Sequence, residues 1–442
     1  MSASTISTHV ITAKSLLQYS FIALPVAFAG FPLYVLAPDF YATHHGMSLT
    51  LLGTLLLVIR LFDAVQDPLI GWLADKFQGS FLPFIIAAGA VLCLAIFGLF
   101  NLVVFNPTAW FALCMLFAVS AYSILTIALG AQATLWTSDQ HEQTRISSAR
   151  EAFGLIGLVI AVSMPTILAG LTEHHDVYVW YSLILAAFML AGLASFSRLP
   201  SISKVPELLS PSLFTGLRAL PQESYLLLAI YGLSMLASSI PAVLVVFFVR
   251  DLLGTEELTG LFLLLYFLSG ASAMPLWRAM SVRLGKNQAW VFSNILAVVG
   301  FIGAFFLGTG DHWAYAIVCV VSGLALGADL TLPPSILADH IHAHNHTAYS
   351  GMHYALLGFV AKFSLALASA IALPTLDAAG FKPHAANSEQ ALMTLSIAYA
   401  LIPSALKLTS AGLLYSYILR SQPGVSHGKI QNHSNHRPSH HA

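Results

Sequence analysis

Apolar residues run along this chain in twelve long blocks parted by short polar stretches. A block of about 20 such residues is what an α-helix needs to cross a bilayer. The blocks fall near 15–37, 47–73, 82–105, 110–136, 146–171, 178–197, 223–249, 258–280, 288–309, 313–338, 348–373 and 391–419. The longest polar connector in mid-chain, Arg198 to Gln222, is rich in Ser, Pro and charge and separates six blocks from six. The pattern predicts an all-α membrane protein with twelve transmembrane helices in two six-helix bundles. The bundles occupy 15–197 and 223–419, with a short N-terminal segment 1–14, a linker 198–222 and a disordered, His-rich tail 420–442.

Composition agrees. Of 442 residues 57% are hydrophobic and 8% charged, where soluble domains carry about 25% charged residues. A formal net charge of −1 argues against a nucleic-acid partner. The three cysteines, Cys93, Cys114 and Cys319, lie in apolar blocks and read as packed core. Residues Met1 to Thr12 are polar, with no apolar core ahead of a small-residue cleavage site, so no cleaved signal peptide is expected. Lys and Arg set the orientation: with the N-terminus inside, thirteen fall on the cytoplasmic side and only Arg250 and Lys382 on the other. Both termini are therefore expected in the cytoplasm of a multi-pass plasma-membrane protein, a bacterial inner membrane protein by this reading.

The remaining three cations, Arg60, Lys362 and Lys407, fall inside apolar blocks. Arg60, Asp63 and Asp67 are spaced three and four apart, so on a helix they share one face. A charge at the bilayer centre costs at least about 2.5–3.5 kcal/mol, so this stripe must face a polar cavity, and it points to ion-coupled transport. The halves also echo one another weakly. Gly71-Trp-Leu-Ala-Asp75-Lys76 and Pro275 to Lys286 are both short basic turns after the second helix of their half, as expected of a rocker-type transporter built from a duplicated unit.

The turn GWLADK resembles the loop signature between helices two and three of the major facilitator superfamily. The longer string Arg60 to Lys76, RLFDAVQDPLIGWLADK, resembles the melibiose-permease-like, or glycoside–pentoside–hexuronide:cation symporter, branch. Gly327-Ala-Asp329 to Asp339, Gly351-Met-His-Tyr354 and Phe359-Val-Ala-Lys362 follow in the family's order. The resemblance implies that Asp63 and Asp67 hold the coupling cation, with Lys362 near it and Ser123 supplying a hydroxyl. Two carboxylates one turn apart can hold sodium with other oxygens or share a proton. Arg60, Asp75 and Arg150 are candidates for gating or charge pairing, Arg60 holding one carboxylate ionised in the empty state. No cofactor is expected beyond the coupling sodium ion or proton.

The chain departs from the family where sugar is held. The carboxylate positions in the first and fourth helices fall on Ala27 and Thr126, and the position of a stacking tryptophan falls on Gly130. Thr126, Asp329 and Tyr354 remain as substrate-cavity candidates. Asp329, beside Pro333-Pro334, reads either as a substrate contact or second protonation site, or as an acid satisfied by broken backbone or a neighbouring lysine. Lys407 reads as snorkelling or paired with a neighbouring helix. Arg150 with Glu151 reads as cavity lining or as helix-end charge.

Histidine is abundant, 18 in all. His340, His342, His344 and His346 alternate in what reads as a cytoplasmic loop, weak candidates for a transition metal if the loop is extended. His44-His45 and His174-His175 are weaker candidates for pH or metal sensing. The histidines lie on opposite sides of the membrane, so no embedded metalloenzyme, and no enzyme at all, is expected. The expected function is cation-coupled secondary transport of a small organic solute, a sugar or glycoside, by a chain able to work alone in the bilayer. The alternatives are a lipid-like or amphipathic solute, and transition-metal-linked transport through the His-rich loop.

Overall fold

In the computed structural model residues 11–47, 49–76, 81–171, 177–199, 222–382 and 386–421 are described. They form helices and short connections, with no strand among them. Residues 200–221 of the linker and 422–442 of the His-rich tail fall outside the described residues, and His174 and His175 lie outside them too.

The first span, α1, is assembled from Ala13–Ser20, Ala23–Phe31, a π-helical turn Pro32–Leu36 and Ala37–His45, ending at Gly46 in the left-handed region (φ 62°). Then follow α2 (Leu49–Lys76), α3 (Phe81–Asn101), α4 (Pro107–Trp136), α5 (Gln140–Leu171) and α6 (Val177–Phe196). The second half holds α7 (Gln222–Phe247, continued by a π turn Phe248–Leu252), α8 (Thr259–Leu284), α9 (Lys286–Phe305), α10 (His312–Ala343) and α11 (Ser350–Ala378). The last span, α12, joins Glu389–Ser396, a π turn Ile397–Leu401 and Ile402–Ser421. Side chains start several of them: the Asn106 carbonyl oxygen accepts from the amides of Thr108 and Ala109, with Pro107 at the first helical position.

Among the described residues eleven helices are long and apolar enough to cross a membrane. The charge-bearing α2, 28 residues long, lies between the first and second of them and completes twelve. Several helices outrun their apolar blocks. α5 starts at Gln140 rather than near 146, α2 carries Gly71 to Lys76 as helix rather than turn, and α10 runs to Ala343 rather than 338. Apolarity marks only the lipid-embedded length, whereas i→i−4 hydrogen bonding continues past it.

The apolar core divides with the halves. One cluster runs from Ile11 to Phe196 and takes in Ala355; the others are built from residues between Leu227 and Leu414. The halves meet chiefly through α2 against α11 and α5 against α8, with α10 also against α5 and α11 against α4. Glycine permits the closest approach: a Cβ on Gly71 would stand 2.7 Å from the Gly351 carbonyl oxygen and 2.6 Å from the Ala355 Cβ.

Candidate functional site

Asp63 and Asp67 lie one turn apart on the face of α2 that meets α4 and α11, and are 3% and 1% exposed. Lys362 reaches them from α11, its Nζ donating to Asp63 Oδ1 at 2.8 Å, Asp67 Oδ1 at 2.8 Å and Ser123 Oγ at 2.7 Å. Ser123, on α4, in turn donates to Asp63 Oδ1 at 2.8 Å, and Gln66 Nε2 donates to the same oxygen at 3.0 Å. One oxygen is left over: Asp67 Oδ2 is buried with no hydrogen-bond partner among the described residues. Pro68, inside α2, removes the N–H that would bond the Ala64 carbonyl. The site thus gathers two carboxylates, a hydroxyl and an ammonium, with an unpaired carboxylate oxygen at its centre. Such an oxygen, away from water, is costly to leave without a hydrogen-bond donor or a cation.

Among the described contacts the cation on both acids is Lys362, while Arg60 is half-buried one turn earlier.

A second buried charge pair sits wholly in the C-terminal half. Asp329 on α10 and Lys407 on α12 form an ion pair, 2% and 1% exposed at the side chain. Asp329 Oδ1 accepts from Trp290 Nε1 at 2.9 Å and Ser234 Oγ at 3.2 Å, and Oδ2 from Ser238 Oγ at 3.3 Å and from Lys407. Lys407 also donates to Ser234 Oγ at 2.8 Å. The broken-backbone reading of Asp329 gives way to side chains: α10 continues as helix through Pro333 and Pro334.

In the N-terminal half a cavity of about 120 Å³ lies among α1, α4 and α5, lined by Ala27, Tyr122, Thr126, Arg150, Glu151 and Gly154 with other small or apolar neighbours. Arg150 and Glu151 stand three turns inside α5 rather than at its start, which sets aside the helix-end reading. Arg150 Nε and Nη2 donate to Glu151 Oε1 at 2.9 and 2.5 Å. Thr126 lines this cavity, but its hydroxyl donates back to the Tyr122 and Ser123 carbonyls. Tyr354 does not reach the cavity in this conformation. Its ring lies on Gly130, and its hydroxyl donates to the Pro334 carbonyl at 3.1 Å and accepts from Thr134 Oγ1 at 3.1 Å.

Tyr354 belongs to a seal between the halves. At the same end Asp75 accepts from the Gly351 and Met352 amides at 2.6 and 3.0 Å, the free donors of the first turn of α11. Thr144 and Ser335 hydroxyls meet at 2.9 Å, and His342 Nε2 lies 2.6 Å from the Thr134 carbonyl.

The histidine run is not an extended loop. His340 and His342 belong to the last turn of α10, where residues two apart point roughly 200° from each other. His344 bonds back to the His340 carbonyl and pairs with Glu223, and His342 turns to Thr134. Among the described residues no three His, Cys, Asp or Glu are placed to hold a metal. On the opposite side His44 stacks on Phe40, and His45 packs on Tyr41.

Three comparisons bear on this geometry. A family model described as MFS/sugar transport protein matches residues 18–421. The glucuronide carrier protein homolog of Escherichia coli is 24% identical over 92% of both chains, and the putative sulfoquinovose importer of Salmonella typhimurium 27% identical over 86% of this chain and 83% of its own. The human sodium-dependent lysophosphatidylcholine symporter 1 is 22% identical over 82% of this chain and 75% of its own. In fold, a bacterial homologue of the iron transporter ferroportin, solved outward-facing, superposes with a TM-score of 0.69 at 16% identity, covering 93% of this chain and all of that one. The human organic anion transporter MFSD10 gives 0.67 at 14% identity, covering 91% of this chain and 100% of that one.

Proposed function

This chain belongs to the MFS/sugar transport protein family, and we propose that within it the chain is a cation-coupled secondary transporter of a small, sugar-like solute. Its fold is the twelve-helix major facilitator fold, and it is a membrane transporter. The coupling rests on one observation: a carboxylate oxygen, Asp67 Oδ2, buried and unpaired beside a second acid, Asp63.

With both acids ionised, Lys362 brings one ammonium to two carboxylates. A monovalent cation, sodium or proton, satisfies the carboxylate oxygen left over, and Asp67 Oδ2 with Ser123 Oγ are the oxygens to receive it. Because Lys362 comes from the C-terminal half and the acids from the N-terminal half, a cation that loosens the lysine changes how the halves meet. Solute enters the cavity beside Arg150, and alternating access follows by rocking of the halves. The seal lies at the end that carries most of the Lys and Arg, which is the cytoplasmic face by the positive-inside rule, so this conformation is closed to the cytoplasm. The relatives' names, from glucuronide to lysophosphatidylcholine, support a small organic solute and leave its polarity open.

The test is uptake into proteoliposomes under imposed sodium or proton gradients. Asp67→Asn removes the charge and keeps the shape, and gradient-driven accumulation should fall at least about a hundredfold. Undiminished accumulation in that variant would refute cation coupling at this site. The gradient that drives the wild type identifies the ion.

A further inference from the structure

The cavity beside α1 is lined by Ala27 from α1 and Thr126 from α4, with no acid from either helix, yet it is not without a carboxylate. Glu151 supplies one from α5, 24% exposed at the side chain, beside Arg150 at 13%. Two of the three guanidinium nitrogens of Arg150, Nε and Nη2, converge on Glu151 Oε1. Oε2 has no hydrogen-bond partner among the described residues, and it is the acceptor that the pair leaves for a guest.

We infer that Glu151 sets the charge selectivity of the solute site, neutralising Arg150 and offering its free oxygen to a solute hydroxyl, so that the cavity takes neutral polyhydroxyl solutes and turns away acidic ones. This rests on the transport reading above. Chemistry carries it in three steps. A lone arginine in a small, poorly solvated cavity is a receptor for a carboxylate, sulfonate or phosphate. An arginine already paired with a neighbouring glutamate presents no net charge, and an anion arriving there meets like charge at short range in a medium that screens it weakly. A hydroxyl, in contrast, can donate to Glu151 Oε2 and accept from the guanidinium edge at once, and Thr126 and Tyr122 line the same space. Ala27 and Gly154, whose added Cβ would stand 3.8 Å from the Ala27 Cβ, make a narrow apolar wall suited to the C–H face of a sugar ring.

The experiment uses the purified full chain and pairs of probes that differ only at C6: methyl glucoside against methyl glucuronide, and the galactose counterparts. Binding is read by ligand-dependent thermal stabilisation, and transport by uptake. The wild type should favour the neutral member of a pair by about tenfold or more. Glu151→Gln, nearly isosteric, should weaken the neutral probes about tenfold and strengthen the uronides, since Arg150 is then free. Stabilisation by the cation alone should be unchanged in this variant, which shows that it folds. A wild type that prefers uronides, a neutral-to-uronide ratio unmoved by Glu151→Gln, or no glycoside binding at all would overturn the inference. Asp67→Asn separates it from the coupling proposal: the variant should lose gradient dependence and keep the ratio. If it keeps gradient dependence while Glu151→Gln shifts the ratio, coupling fails and the selectivity stands.

Discussion

At the residue scale the two buried acids at Asp67 and Asp329 have opposite accounts. Asp329 has both oxygens bonded, to Ser234, Ser238, Trp290 and Lys407, whereas Asp67 keeps one oxygen unpaired. The oxygens of Asp329 are taken up in joining four helices, whereas Asp67 keeps one free of the fold's own donors. Removing one member of a buried ion pair strands the other, at about 3–5 kcal/mol, while replacing both with neutral groups is close to neutral. Asp329→Asn or Lys407→Met alone should therefore sharply lower the thermal stability of the purified protein, and the double variant should regain most of it. A double variant as unstable as the worse single would mean that the pair acts through something other than charge balance. The sequence marks both residues as intramembrane charges, but periodicity gives only the face a residue shares with its own helix. Which helix stands opposite is a tertiary fact, so the partnership of Asp329 with Lys407, and the carboxylate that Glu151 brings to the cavity, came only with the fold.

At the element scale the seal and the bends occupy opposite ends. The π turns of α1, α7 and α12 all lie at the end away from Asp75 and Tyr354, and such turns locally widen and bend a helix. The seal depends instead on small residues, Gly71 against Gly351 and Ala355, where an added Cβ has no room. Backbone lies behind that contact and cannot yield, so Gly71→Val should force α2 and α11 apart and shift the protein toward opening at this end. A cysteine placed at Ser335, across from Thr144 in the seal, should then react with a soluble thiol reagent several-fold faster than in the Gly71 background. Equal rates would show that the seal does not depend on this crossing. The twelve spans were legible because lipid demands long apolar blocks. Helix ends were not, since polar turns outside lipid leave no hydropathy signal; for that reason His340 and His342 read as loop although they close α10.

At the scale of the whole molecule the proposed cation site is a place, beyond the seal, where described side chains bond across the halves. Two acids and a serine of the N-terminal half hold an ammonium of the C-terminal half. If the proposed coupling ion binds these carboxylates, a lysine in that position is its tethered competitor, because both seek the same oxygens. Binding of the ion must then change the free energy of joining the halves, and by reciprocity the joining of the halves must change the affinity for the ion. If Lys362 carries that linkage, removing it should separate binding from transport. Lys362→Met keeps bulk and removes charge, leaving the acids open to the ion. The purified variant should still be stabilised by the cation, at least as strongly as the wild type, yet should fail to concentrate solute, since ion occupancy would no longer bias the halves. Loss of cation stabilisation together with transport would instead make Lys362 a support for the shape of the site, and would place the coupling element at the seal, where Asp75 holds the first turn of the same helix.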